Sequence, residues 1–385
     1  MKYARFSKNK FHMSDQDAAA ILEEVFLNCG KEAVSLTDEE SQKVFESDLG
    51  GSDMHYAVIC IAVTMFIITL IFPVFLAIAA THKGQPTDTE RILAAEKMAD
   101  PTTYDTSELV KGSRDNTPVC LVPTADGINV LSNDYVSLDA SNVASGYIVI
   151  KYTGASEKVK LRITGPDEVT YTYNLTTGGG IDEVFPLQAG DGTYVVGVFE
   201  NIAGTSYAQA FSEELSVKLD DPFLPFLYPN QYVSFTKDDQ AIAYAQYLSY
   251  EANSDLDVVS NVYNALISSL TYDYEEAQTV ESGYLPDIDE VLTTGKGICL
   301  DYACLMSSML RSQQIPTRME VGYAGQAYHA WISTYIKEIG WVNGMIEFDG
   351  EKWSLMDPTF ASTTDTEKLK NFIGDGENYK TKYIY

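Results

Sequence analysis

Residues 295–303, GKGICLDYA, decide how the rest of the chain is read. Gly295 and Gly297 mark a loop, and the apolar run from Ala303 to Leu310 then reads as a helix entered at Cys299. A cysteine at a helix N-terminus meets the positive end of the helix dipole and unsatisfied N–H groups. That setting lowers a thiol pKa, and the same N–H groups suit an oxyanion. A thiol nucleophile also needs a base, and a third group that fixes the base's tautomer. His329, in AYHAWI (327–332), is the only histidine after residue 82, and Asp357 lies in WSLMDPTF (353–360). The three run in the order Cys, His, Asp, spaced by 30 and 28 residues.

Working outward, Arg318–Ile332 reads as two strands joined at Ala324-Gly325-Gln326, and Glu347–Leu355 as a hairpin turning at Asp349-Gly350. His329 and Asp357 then fall near strand ends, where a sheet orients them. Each residue taken alone also has a plain reading: a small buried hydrophobe, a packing histidine and a turn. Together, in this order, they read as a Cys-His-Asp triad giving a thiolate–imidazolium pair. Cys304, five residues beyond Cys299, is expected in the core. On a helix it lies about 7.5 Å further along the axis, too far for a disulfide, and points elsewhere.

Roughly residues 225–365 resemble the transglutaminase-like (papain-related) cysteine enzyme superfamily. The resemblance rests on Gly297-Ile298-Cys299, His329-Ala330-Trp331, Asp357-Pro358-Thr359, Gly322-Tyr323 and the helix exit Arg311–Pro316. Tyr272-Asp273-Tyr274 is similar to the loop that often precedes the cysteine helix. Gln314 departs from the pattern, standing where the family usually has glycine; this bears on the turn and not on the chemistry. The resemblance implies an α+β catalytic domain with Cys299, His329 and Asp357 as catalytic residues. It implies attack on a peptide or carboxamide carbonyl, with hydrolysis ahead of amine transfer. Oxyanion candidates are the Cys299 backbone N–H, Tyr272 and Tyr274. Tyr302, Tyr328 and Trp331 are candidates for the substrate cleft. A catalytically silent binding module or surface scaffold on the same fold is the alternative. No cofactor and no metal are expected; the chain has no Cys-x-x-Cys and no second histidine near His329.

The acidity extends along the whole chain: of the net −29, −5 belongs to residues 1–82, −10 to 83–220 and −14 to 221–385. That excludes nucleic acid as a partner. Tyr56–Ala80 is a 25-residue stretch without a charge, about 37 Å long as a helix and enough to cross a bilayer. It lies too far along the chain for an ordinary signal peptide. Six basic residues precede it, which places the N-terminus inside and the acidic remainder outside the cell.

The expected organisation is a cytoplasmic segment (1–55) and a single transmembrane helix (56–80). A stalk or linker (81–119), an immunoglobulin-like antiparallel β-sandwich (120–220) and the transglutaminase-like domain (221–385) follow. Within the first segment, residues 14–29 and 35–48 read as short helices. The stalk carries one possible helix over Glu90–Met98. The sandwich, of seven or eight strands, is read from Ser145–Tyr152, Lys158–Thr164, Val169–Asn174 and Tyr194–Glu200 between glycine turns. DDPFLPFLYPN (220–230) reads as a linker packed against its neighbours. Lys237–Leu248 and Asn253–Leu270 read as helices. A protein or peptide substrate, with cell-wall peptide as one option, and the membrane are the expected partners at a bacterial cell surface.

Overall fold

Between Val130 and Val217 short runs alternate apolar and polar residues, and the computed structural model folds them into eight strands. It describes residues 94, 97–324, 327–337, 340–343, 345–348, 353–356 and 379–385. Those from 94 onward belong to one compact unit. The strands are β1 (Val130–Ser132), β2 (Val136–Asp139), β3 (Tyr147–Tyr152), β4 (Val159–Thr164), β5 (Thr170–Leu175), β6 (Asp182–Pro186), β7 (Gly192–Ala203) and β8 (Ser206–Val217). Two four-stranded sheets result, ordered β1-β2-β3-β6 and β5-β4-β7-β8, with every pairing antiparallel. In β4 the period of two is plain: Val159, Leu161 and Ile163 are buried while Arg162 is exposed.

The C-terminal domain puts helices before its main sheet. The helices α1 (Gln240–Leu248) and α2 (Asp255–Ser269) match the sequence reading closely. Ser254 starts α2 by accepting from the Asp257 N–H, while Asp257 accepts from the Ser254 N–H. A two-residue strand β9 (Thr271–Tyr272) pairs in parallel with β10 (Lys296–Gly297). Between them lie α3 (Glu276–Thr279) and α4 (Ile288–Thr294). The helix α5 (Cys299–Ser312) is central: every residue from Asp301 to Ser312 is buried, and it packs on α1, α2, α4 and the sheet. That sheet is ordered β13-β12-β11-β16, from β11 (Thr317–Ala324), β12 (Ala327–Ile336), β13 (Gly340–Asn343) and β16 (Tyr379–Ile384). The hairpin β14 (Met345–Phe348) and β15 (Trp353–Met356) stands beside it.

The exit of α5 explains the one departure from the family pattern. Gln314 adopts a left-handed φ of 60°. Its N–H reaches the Arg311 carbonyl at 2.9 Å, and the Ile315 N–H reaches that of Leu310 at 3.1 Å. This is the paired closure usually built with glycine at the left-handed position.

Residues 97–119, expected as part of a stalk, lie along the C-terminal domain. The Gly112 N–H donates to the Tyr250 carbonyl, Arg114 pairs with Asp255 at 2.7 Å, and the Val119 N–H reaches the Ser312 carbonyl at 2.7 Å. Of the helix expected over Glu90–Met98, the described residues Ala94, Lys97 and Met98 are helical. The linker over 220–230 is packed as expected. Phe226 meets the Trp341 ring edge-on at 5.4 Å, and Arg318 stacks on both, 3.7 Å from Trp341 and 4.7 Å from Phe226. Tyrosines join the two domains: Tyr171 packs on Tyr383 and Tyr385, and its hydroxyl accepts from the Ile384 N–H. The helices expected at 14–29 and 35–48 and the membrane helix expected at 56–80 lie outside the described residues. Among the described residues no helix is long and apolar enough to cross a membrane.

Candidate active site

Cys299 is the first residue of α5 and is half-buried, with a free thiol. The extended residue Ile298 precedes it, and Gly297 belongs to the two-strand pairing with Tyr272. The first turn is pinned from within the helix. Asp301 folds back so that Oδ2 accepts the Ile298 N–H at 2.7 Å. A side chain at Gly297 has no room, since its Cβ would lie 2.7 Å from the Asp301 Cβ. The pairing of Gly297 with β9 and this cap together set where the thiol stands.

Asp301 is itself unusual. It is 1% exposed, and its other oxygen, Oδ1, accepts from the Tyr284 hydroxyl at 2.9 Å. Burial pushes its carboxyl pKa up to about 6, against the opposing pull of the Ile298 N–H and the Tyr284 hydroxyl. Tyr284 is raised in turn, by burial first and then by the Asp301 charge. The sequence reading counted Tyr284 only among the aromatics near the site and passed over Asp301. An aspartate two places after a helix-opening cysteine, at the third helical position, was the signal that could have found Asp301.

Tyr272 lies beside Cys299. Burial and then the Cys299 charge raise the phenol's pKa, against the pull of the Cys299 main-chain N–H. Tyr274 packs edge-on against Tyr272 with ring centres 5.0 Å apart and is 64% exposed. Of the two candidate tyrosines, Tyr272 is therefore the one beside the Cys299 N–H.

His329 is on β12, directly opposite Gly322 of β11, and is 6% exposed. Its ring stacks near Trp331 at 6.3 Å. Strand β12 packs on α5, so the helix opened by Cys299 and the strand bearing His329 are neighbours. Gly322 has a definite reason to be glycine: a Cβ there would sit 2.1 Å from the Lys380 main-chain oxygen, where β16 joins the sheet. Asp357 lies outside the described residues; the hairpin strand ending at Met356 leads directly to it.

Two of the three candidates for the cleft need correction. Tyr302 is 0% exposed and Trp331 is 2% exposed, so both fill the interior and do not line an open cleft. An aromatic enclosed this fully serves as core. Tyr328, on the other face of β12, is 46% exposed. Cys304 is buried and burial raises its thiol pKa, as expected of a core cysteine. Among the described residues no group of three or more His, Cys, Asp or Glu is arranged to hold a metal ion.

Against this geometry, the family model of the transglutaminase-like superfamily matches residues 242–344. Residues 242–344 form a transglutaminase-like domain. The match takes in Tyr272, Cys299, Asp301 and His329 and stops before Asp357. No curated protein matches the chain. Several solved structures are similar in part. The periplasmic domain of TgpA from Pseudomonas aeruginosa is 15% identical, over 65% of this chain and 78% of that one, with a TM-score of 0.28. A candidate cysteine protease from Cytophaga hutchinsonii is 16% identical, over 60% and 69%, with a TM-score of 0.27. Red sea bream transglutaminase is 12% identical, over 56% and 48%, with a TM-score of 0.21. The strands between Val130 and Val217 form a β-rich region before the transglutaminase-like domain, whose assignment rests on the family match.

Proposed function

We propose that the protein is a membrane-anchored, surface-facing cysteine enzyme that acts on peptide or carboxamide bonds through Cys299, His329 and Asp357. One observation carries the reading: the free, half-buried thiol of Cys299 opens the central helix, and that helix packs on the strand bearing the only histidine of this domain. In the proposed reaction the Cys299 sulfur attacks the carbonyl carbon as its proton passes to His329. The tetrahedral oxyanion is met by the Cys299 N–H and, of the two tyrosines, by Tyr272, whose hydroxyl adjoins that N–H. His329 returns the proton to the leaving amine, leaving a thioester on Cys299. Water then attacks the thioester, and His329 again takes and returns a proton, which releases acid and thiol. Asp357 orients the imidazole. A primary amine in place of water would give acyl transfer; hydrolysis leads.

Tyr56–Ala80 supplies the anchor, with its uncharged length and the basic residues before it. The eight-stranded region, as an immunoglobulin-like sandwich, holds the catalytic domain outside the cell, where the substrate is a protein or a wall peptide.

The deciding experiment is the pH dependence of iodoacetamide alkylation at Cys299 in the full-length protein, read by mass spectrometry with Cys120 and Cys304 as internal references. Labelling well below pH 7 that is lost in His329→Ala supports the enzyme. An ordinary thiol curve near pH 8.5, indifferent to His329→Ala, sinks it in favour of a binding module.

A further inference from the structure

Asp301 has no part in the steps above, yet it is the most deeply buried carboxylate of the C-terminal domain among the described residues. A plain helix cap is exposed to water and holds one N–H. This carboxylate is enclosed and holds two donors from different directions, the Ile298 N–H at 2.7 Å and the Tyr284 hydroxyl at 2.9 Å. Tyr284 belongs to the segment between α3 and α4, so the pair ties that segment to the turn presenting Cys299. The contact with Gly297 closes the third side.

We propose that Asp301, held by Tyr284, is a positioning residue of this site: it fixes the main chain of Gly297-Ile298-Cys299, and its negative charge opposes ionisation of the Cys299 thiol. The inference rests on reading Cys299 as the nucleophile and deepens it by adding a control on thiol reactivity. Geometry supplies the link, since a third-position side chain that folds back over the helix start lies beside the first residue. The charged and titratable groups around Asp301 are Glu276 of α3, Glu290 of α4 and Cys304 of α5, with Tyr284 as donor. Lys296 of β10 is exposed, Tyr272 of β9 adjoins Cys299, and His329 stands on β12. Burial, with a smaller push from the two glutamates, keeps the carboxyl partly protonated in mildly acidic water, and there the restraint on the thiol is lifted.

Asp301→Asn keeps the shape and an acceptor for the Ile298 N–H while removing the charge. In full-length protein, the midpoint of iodoacetamide alkylation at Cys299 is expected to fall by about one pH unit. Tyr284→Phe keeps the charge and drops one hydrogen bond, so it should lower the limiting alkylation rate and leave the midpoint near that of the wild type. An unmoved midpoint in Asp301→Asn overturns the proposal. Should that variant fail to fold, an unchanged limiting rate in Tyr284→Phe overturns it instead. His329→Ala in the same assay separates the two readings. If His329→Ala moves the midpoint and Asp301→Asn does not, the enzyme stands and this inference falls. The opposite pattern removes the enzyme reading and keeps the charge coupling.

Discussion

The two folded regions bury different kinds of side chain. Among the described residues from Val130 to Val217, Asp139 is the only buried polar or charged residue, and it serves a loop by accepting from the Gly127 and Ser141 N–H groups. The C-terminal domain encloses Asp301, Arg311, Glu320 and His329. Buried titratable groups cost stability unless paired, so a fold retains them where they position or react. Arg311 donates to the main-chain oxygens of Thr317, Tyr228 and Tyr385, and Glu320 accepts from the Ser333 and Thr381 hydroxyls. Among the described residues, the β-rich region keeps its core almost free of charge. The domain after it spends stability to hold charge in place.

That contrast breaks most visibly at Arg311. Burial lowers its pKa to about 9, which leaves it charged at neutral pH. Arg311→Met strands three main-chain acceptors and is expected to cost about 3–5 kcal/mol, read as a fall in the urea midpoint. Leu161→Ala in the other region opens a cavity and costs about 2–5 kcal/mol. Its Cys299 alkylation profile should match that of the wild type at temperatures where the fold persists. A shifted profile in Leu161→Ala would break the division between the two regions.

The next effect in size belongs to Asp301. Its folded pKa of about 6 exceeds the ordinary 3.8, so the folded state holds the proton more tightly than the unfolded chain. Its contribution is nil below pH 3.8 and grows unfavourable until about pH 6. At about 1.4 kcal/mol per pH unit the upper bound is about 3 kcal/mol. Thermal melts should show Asp301→Asn gaining on the wild type as pH rises from 4 to 7, with the two converging at pH 4. A constant difference across that range would refute the assignment.

A smaller gain is expected at the α5 exit. Gln314→Gly relieves a left-handed residue and should raise stability by about 0.5–1 kcal/mol, seen as a few degrees in Tm. The smallest effect is at Lys218, exposed and paired with Asp191 beside the β-rich region. Lys218→Ala should leave Tm within error; a measurable fall would show that the β-rich region, too, relies on charge.

Much of this architecture was legible in the chain. The segments read as strands at 145–152, 158–164, 169–174 and 194–200 each overlap an observed strand, because period-two alternation survives where one face is buried. The helices read at 237–248 and 253–270 end within three residues of the observed bounds. The β9–β10 pair was not legible, for two residues carry no period. Nor was β16, whose partner β11 lies about 60 residues earlier. Tyr302 and Trp331 were misread as cleft residues because aromatic identity does not tell which side of an element faces the core.

The sequence by itself determined the chemistry on offer: one thiol behind a glycine turn, one histidine in the last three hundred residues, and an ordered spacing between them. Local rules suffice for that, since a helix start and a strand are written in a few neighbouring residues. Only the tertiary structure decided that Tyr284 reaches Asp301, that Tyr272 lies beside Cys299, and that residues 97–119 lie along the C-terminal domain. Those contacts join segments separated by 17 to about 200 residues. Burial of a carboxylate, like the close approach at Gly322, is a property of what surrounds a residue after packing, and no local pattern encodes it.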